Sequence, residues 1–421
     1  MASNAQKNRR APASGDAALA DTPAVDGGGT SEAYVPSRLD PPRKRTRAGT
    51  AILWAAGIVW AISMVLTLLA FFAPQYLPEF IRLPSNQAAP GGQYAPGGRI
   101  SFVRSSPDGR TRDLYVVNAD GTNQQQITRD IVVEGATAWS PDGRRIIAQA
   151  SIEGTSRVVR FTIGPDNKPV AAESVQLTAD VQADSVLPAW SPDGKHIAFQ
   201  SKTDGADYQV FVMDADGNNK HRVSDGKGYA GWPTWSPDGK LILYIQGGKP
   251  DPGSVKEVYA VPPSGDNPRQ LTSAGKDAGR PAWSPDGSLI LYLQNNGDKS
   301  TIMLANADGS SPRVLVEASR NPSPQFSPDG KTIVYYAVAP PQGSDIFAVP
   351  VAGGTPVNLT PQSVEDYVPT WSPDGQKLAW ASSQGQEHHI VTAGPDGKNP
   401  VQVSTGDGDD YQPAWGKTPT P

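Results

Sequence analysis

Seven positions spread through the last three quarters of this chain carry side chains that could act together: Glu134, Asp184, Tyr229, Asp277, Asn321, Asp366 and Asp410. Each stands five or six residues ahead of an aromatic residue that opens a recurring motif. Five of the seven are acidic, and Trp232, Tyr367 and Tyr411 lie beside them. Carboxylates brought together raise the local negative potential. They would suit a cation, Ca²⁺ among them, or a basic or aromatic-tolerant segment of a partner protein. The plainer reading is that each acid caps its own loop in solvent and does nothing else. No resident cofactor is expected.

Other chemistries find little support. The chain has no cysteine, which excludes disulfides, thiolate metal sites, a cysteine nucleophile and a lipidated N-terminal cysteine. There is no GxSxG elbow, no phosphate-binding GxxxxGK[ST] loop and no kinase signature. Two SxxK matches, Ser224–Lys227 and Ser273–Lys276, fall in glycine-containing loops and read as chance. Of the four histidines, His196, His221, His388 and His389, the adjacent pair lies in a strand pattern. Alternating faces keep its two rings from sharing a metal. The formal net charge of −5 gives no basic field for nucleic acid.

The elements that must position these residues come from a repeat. WSPDG begins at Trp139, Trp190, Trp235, Trp283 and Trp371, FSPDG begins at Phe326, and Trp415 completes the series. The intervals run from 43 to 51 residues, the range of a propeller blade. Within one period the chain reads as four strands: PAW before the motif, LILYLQ, STIMLANADG and RVLV. Proline fixes φ at the first central position of a type I turn, aspartate suits the second, and glycine takes the left-handed position after it. That assigns a turn role to Asp142–Gly143, Asp193–Gly194, Asp238–Gly239, Asp286–Gly287, Asp329–Gly330 and Asp374–Gly375, and a packing role to the aromatics. The NADG and DADG tetrapeptides resemble fragments of calcium loops but lack the spacing, and read as hairpin turns. The first unit has no PxW strand of its own, and the chain ends on YQPAWGKTPTP. If that last strand returns to the first unit, six complete blades and one composite blade close a ring of seven with no free edge.

Ahead of the ring lie three further parts. Residues 1–47 lack any apolar period and read as a disordered cytoplasmic tail. Residues 48–75 contain the uncharged run Ala51–Ala73, which at about 1.5 Å per residue spans roughly 34 Å and can cross a bilayer. Arg43, Lys44, Arg45 and Arg47 before it keep the N-terminus in the cytoplasm. Trp54, Tyr76 and Phe80 suit its interfaces. Residues 76–98 read as a linker, 99–417 as the propeller outside the cell membrane and 418–421 as a tail.

The pattern LPAWSPDGKHIAFQS…VFVMDADGNNKHRVS (Leu187–Ser224) resembles the TolB-like β-propeller repeat, and the likeness extends over residues 99–416. The resemblance implies an all-β, seven-bladed fold. It also implies an interaction platform in the bacterial envelope, although related propellers serve as accessory domains of prolyl oligopeptidases and sensor kinases. TolB itself is secreted and has an α/β domain ahead of its propeller; this chain has an apolar span there instead. The expected function is a membrane-tethered, non-catalytic scaffold or sensor that binds an envelope protein or peptide at the propeller face. The alternative is a propeller enzyme or binding module acting on envelope or extracellular polysaccharide, the enzyme being a metal-dependent lyase.

Overall fold

The computed structural model describes residues 97–419, apart from positions 130, 136, 171–173, 180–183, 203–206, 249–254, 274, 298, 320–321, 339–342, 362–363 and 386. The expected tail, membrane span and most of the linker lie outside these residues, as does Asn321. Among the described residues, no helix is long and apolar enough to cross a membrane.

Antiparallel hairpins build seven sheets, six of four strands and one of five. The chain is a seven-bladed β-propeller. Closure is as the C-terminal sequence suggests. The last strand, Asp409–Gly416, is the innermost strand of the first blade and pairs with Arg99–Ser105. Its register runs from Arg99 opposite Gly416 to Ser105 opposite Asp409. In the second blade the inner strand is interrupted, with Val132–Val133 and Ala138–Trp139 pairing separately to Arg145–Ile152.

The apolar runs now have a physical explanation. Seven hydrophobic clusters form, one between each pair of neighbouring blades. A second strand lies between two of them, so both of its faces are covered. In Leu289–Asn296, Ile290 and Tyr292 face the fourth blade, while Leu291 and Leu293 face the sixth. All four are nearly inaccessible to solvent. Each such side chain gains about 1.5–3 kcal/mol on burial, so the ring is held by many modest, similar contributions.

The first strands are longer than the three-residue PAW expected from sequence. The fifth blade's inner strand spans Asp277–Trp283 and the fourth's spans Tyr229–Trp235. A β-bulge interrupts each, between Gly279 and Ala282 and between Gly231 and Thr234. The residue before the proline takes a left-handed φ: Leu187 51°, Trp232 58°, Arg280 45°, Ser323 43°, Val368 51° and Gln412 52°. Non-glycine residues reach that region at a cost of about 1–2 kcal/mol. Six repeats of it are therefore imposed by the ring. The bulge absorbs the irregularity and lets pairing resume up to the mouth.

Candidate functional site

At one end of the ring the motif turns close on themselves. In all six, the serine Oγ hydrogen-bonds the aspartate Oδ1 and accepts the backbone N–H five residues on at 2.8–3.0 Å. The same Oδ1 accepts a backbone N–H two residues on at 3.0–3.1 Å. The glycine adopts φ of 68–71°. These hydrogen bonds hold the aspartates below the usual carboxylate range; Asp286, bonded by Ser284 and Ser288, falls to about 2. The tetrapeptides NADG and DADG behave likewise, with Asp120, Asp216 and Asp308 each accepting a backbone N–H two residues on. The motif tryptophans reach across to the neighbouring blade. Trp139, Trp190 and Trp235 donate Nε1–H to the carbonyls of Ala414, Ala138 and Ala189 at 3.1–3.2 Å.

The other end is the mouth. Glu134 accepts from Ser156 Oγ at 2.6 Å and Gln149 Nε2 at 3.1 Å. Asp184 accepts the Ser156 backbone N–H at 3.0 Å. Asp277 is paired with Lys256 at 3.0 Å, whose ammonium also stands 5.9 Å from the Tyr229 ring centre. Asp410 is fully buried and forms a two-pronged pair with Arg104, Nε to Oδ1 at 2.7 Å and Nη2 to Oδ2 at 2.8 Å. Burial alone would lower the Arg104 guanidinium, but the Asp410 carboxylate outweighs it and raises the pKa. Asp366 is 1% exposed and accepts Trp380 Nε1–H at 2.9 Å. Burial pushes its carboxyl upward against hydrogen bonds from Ser382, Thr360 and Trp380. The expected acids are thus present around the inner strands, but Asp366 and Asp410 are turned into the protein. Among the described residues, no group of three His, Asp or Glu side chains could hold a metal ion.

What the mouth presents is aromatic. Tyr336 packs edge-on against Tyr367 with ring centres 5.7 Å apart. Tyr367 and Tyr411 flank His388, each 5.8 Å from it. Asp409 Oδ1 fixes His388 by accepting its backbone N–H at 3.0 Å and contacting Nδ1 at 3.1 Å. Tyr367 donates to Glu365 Oε2 at 2.6 Å. Burial, with Glu365 beside it, pushes the Tyr367 hydroxyl up to about 12. Burial and Asp409 do the same for Tyr411. Both remain neutral donors at physiological pH. Tyr367, His388 and Tyr411 line a cavity of about 550 Å³ whose wall includes Glu134, Glu365, Arg112, Val368 and Gln412. Two bulge residues therefore reach the channel wall. The sequence singles out Tyr367, Tyr411 and the bulge residue Trp232 and leaves His388 as a strand residue, but it does not single out Tyr336 or the other bulge residues. The proline two residues before every motif aromatic except Trp139 was the available signal for the last.

Fold and site together define a propeller with a walled, aromatic mouth and an opposite end whose motif aspartates are bonded within their own turns. Comparison with known proteins places this architecture. Residues 166–362 match the TolB beta propeller domain. Two solved structures share the fold at a TM-score of 0.53. One is an oligogalacturonate lyase in complex with manganese, 13% identical, covering 73% of this chain and 85% of that one. The other is a puromycin-hydrolyzing peptidase of Mycobacterium tuberculosis, 16% identical, covering 65% of this chain and 47% of that one. TolB from Acinetobacter baumannii aligns over 76% of this chain and 66% of its own, just under two thirds, with 18% identity and a TM-score of 0.48. The fold is thus that of a seven-bladed propeller, and within it residues 166–362 are similar to the TolB beta propeller domain.

Proposed function

We propose that this propeller is a non-catalytic binding platform that takes a protein or peptide segment of the cell envelope at its aromatic mouth. In this reading the run Ala51–Ala73 tethers it to the membrane, with the propeller on the outer side. The observation that carries the reading is the cavity walled by Tyr367, His388 and Tyr411. Aromatic rings offer large contact area with little rotamer entropy to lose, which is why they anchor protein interfaces. Three are already locked here by mutual packing and by Asp409 and Glu365. The acids serve this arrangement indirectly, by holding the inner strands and the histidine.

The test is in-cell photo-crosslinking from a reactive residue placed at position 367 of the full chain. The expected result is one discrete envelope protein, lost when Tyr411→Ala is added. Glycan adducts, or a protein pattern indifferent to Tyr411→Ala, would overturn the reading. Asp366→Ala and Asp410→Ala are poor probes of binding, because both carboxylates are structural.

A further inference from the structure

The positions just before the inner-strand prolines are occupied in turn by Leu187, Trp232, Arg280, Ser323, Val368 and Gln412. Arg280 is the one charged residue among them. It belongs to the register position that puts Val368 and Gln412 on the cavity wall. Its guanidinium lies over the ring of Trp232, the bulge residue of the preceding blade, with the carbon 4.7 Å from the ring centre. Both residues are half-buried and both are held at left-handed φ. The two side chains meet from equivalent positions in adjacent blades.

The other cations of the inner ring behave differently. Arg104 is matched by Asp410 and Lys256 by Asp277. Among the described residues the Arg280 guanidinium has no ion pair and no hydrogen bond, only its stacking on Trp232. Burial lowers its pKa, with Tyr336 the charge partner that opposes the shift. A guanidinium stays charged in any case. Stacking on the indole covers one flat face and leaves the N–H donors at the edge of the plane. That fork matches the two oxygens of a carboxylate. A desolvated cation with unused donors attracts an anion more strongly than one in open water.

We propose that Arg280, positioned by Trp232, is an anion-anchoring site in the channel that takes the carboxylate of a ligand entering through the aromatic mouth. The site accounts for three features at once: a cation without a counter-charge, an indole beneath it and a strained backbone that aims both. It does not rest on the ligand being a protein, so a negative crosslinking result at position 367 would leave it standing.

The experiment is a calorimetric titration of the full chain at fixed ionic strength with three probes: acetyl-glycylglycine, its C-terminal amide and inorganic phosphate. The free carboxylate should bind about tenfold or more tighter than the amide, as a charge-assisted bidentate bond implies. Arg280→Gln should abolish that preference, and Arg280→Lys should keep only part of it because the charge remains and the fork is lost. Trp232→Leu should weaken carboxylate binding while leaving the charge in place. Equal binding of acid and amide, preference for phosphate, or an Arg280→Gln protein that discriminates like the wild type would overturn the proposal. If Arg280→Gln fails to fold, Arg280→Lys and Trp232→Leu decide it: full retention of the preference in both overturns it.

Discussion

The two ends of this ring use the same residue types in opposite ways. At the turn end, six aspartates occupy six equivalent positions and each is consumed by its own turn, bonded by a serine hydroxyl and a backbone N–H. At the mouth, equivalent positions hold a glutamate, aspartates and a tyrosine, and each does something different. Asp410 neutralises a buried arginine, Asp366 is held by a tryptophan and Asp277 by a lysine. The difference separates what a repeat must keep from what one blade can spend on function. A side chain that recurs in every blade is bound up in the blade. A side chain that breaks the series, such as His388 or Arg280, has no such duty; His388 lines the cavity and Arg280 stacks on Trp232.

The sharpest way to break this comparison is at Asp410. It is fully buried, and its Arg104 partner is 8% exposed. Both belong to the composite blade, where Arg104 and Asp410 are also directly paired across the strands that close the ring. Removing one member of a buried pair leaves an uncompensated charge, at a cost of about 3–5 kcal/mol. Asp410→Ala should therefore lower stability by about that amount, read as a shifted denaturant midpoint, and Asp286→Ala at the turn end should cost far less. A loss under about 1 kcal/mol for Asp410→Ala would mean that the mouth acids are as dispensable as solvated loop caps.

This contrast also shows what was legible in the sequence. The period, the turn chemistry and the missing first strand sufficed for seven blades and their closure, because each rests on local rules repeated many times. The mouth positions were legible as places, since counting back from the motif aromatic locates them. Their roles were not. Arg104 lies 306 residues from Asp410, and no local pattern announces that the two will meet. Trp380 likewise reaches Asp366 only because the second strand of the blade runs beside the first. The bulge was hidden for another reason. A residue before proline is expected in extended backbone, and the left-handed turn there is set by the ring.

Titration divides the two ends by sign. At the mouth, the folded-state pKa of Asp366 is raised by burial. Its contribution to stability is complete below the unfolded value of about 3.9 and is lost as the pH rises through the higher folded value. At the turn end, Asp286 sits at about 2. Its contribution is present above the unfolded value and is lost as the pH falls toward about 2. Denaturant midpoints collected across the acid range should therefore diverge in opposite directions. Asp366→Asn should gain on the wild type as the pH rises toward neutral, whereas Asp286→Asn should gain on it as the pH falls below about 4. Parallel curves for Asp366→Asn and the wild type would show that this carboxyl ionises as freely as an exposed one.

The smallest effect tests whether the turn end is as uniform as its sequence. Trp235 donates its N–H to the Ala189 carbonyl at 3.1 Å, but among the described residues the buried N–H of Trp283 and that of Trp371 have no acceptor. The sixth blade carries Phe326 at the equivalent position, so the ring tolerates losing the polar handle at least once. Replacing Trp235 by Phe removes ring volume and a hydrogen bond, whereas replacing Trp283 by Phe removes similar volume and relieves an unmatched donor. The first substitution should cost about 1 kcal/mol more than the second, the usual net worth of one intramolecular hydrogen bond. Equal losses in urea midpoints would assign the tryptophan's recurrence to packing alone. A larger loss at Trp283 would mean that its N–H finds a partner in solution, and that the blades of the ring are more alike than their hydrogen bonds suggest.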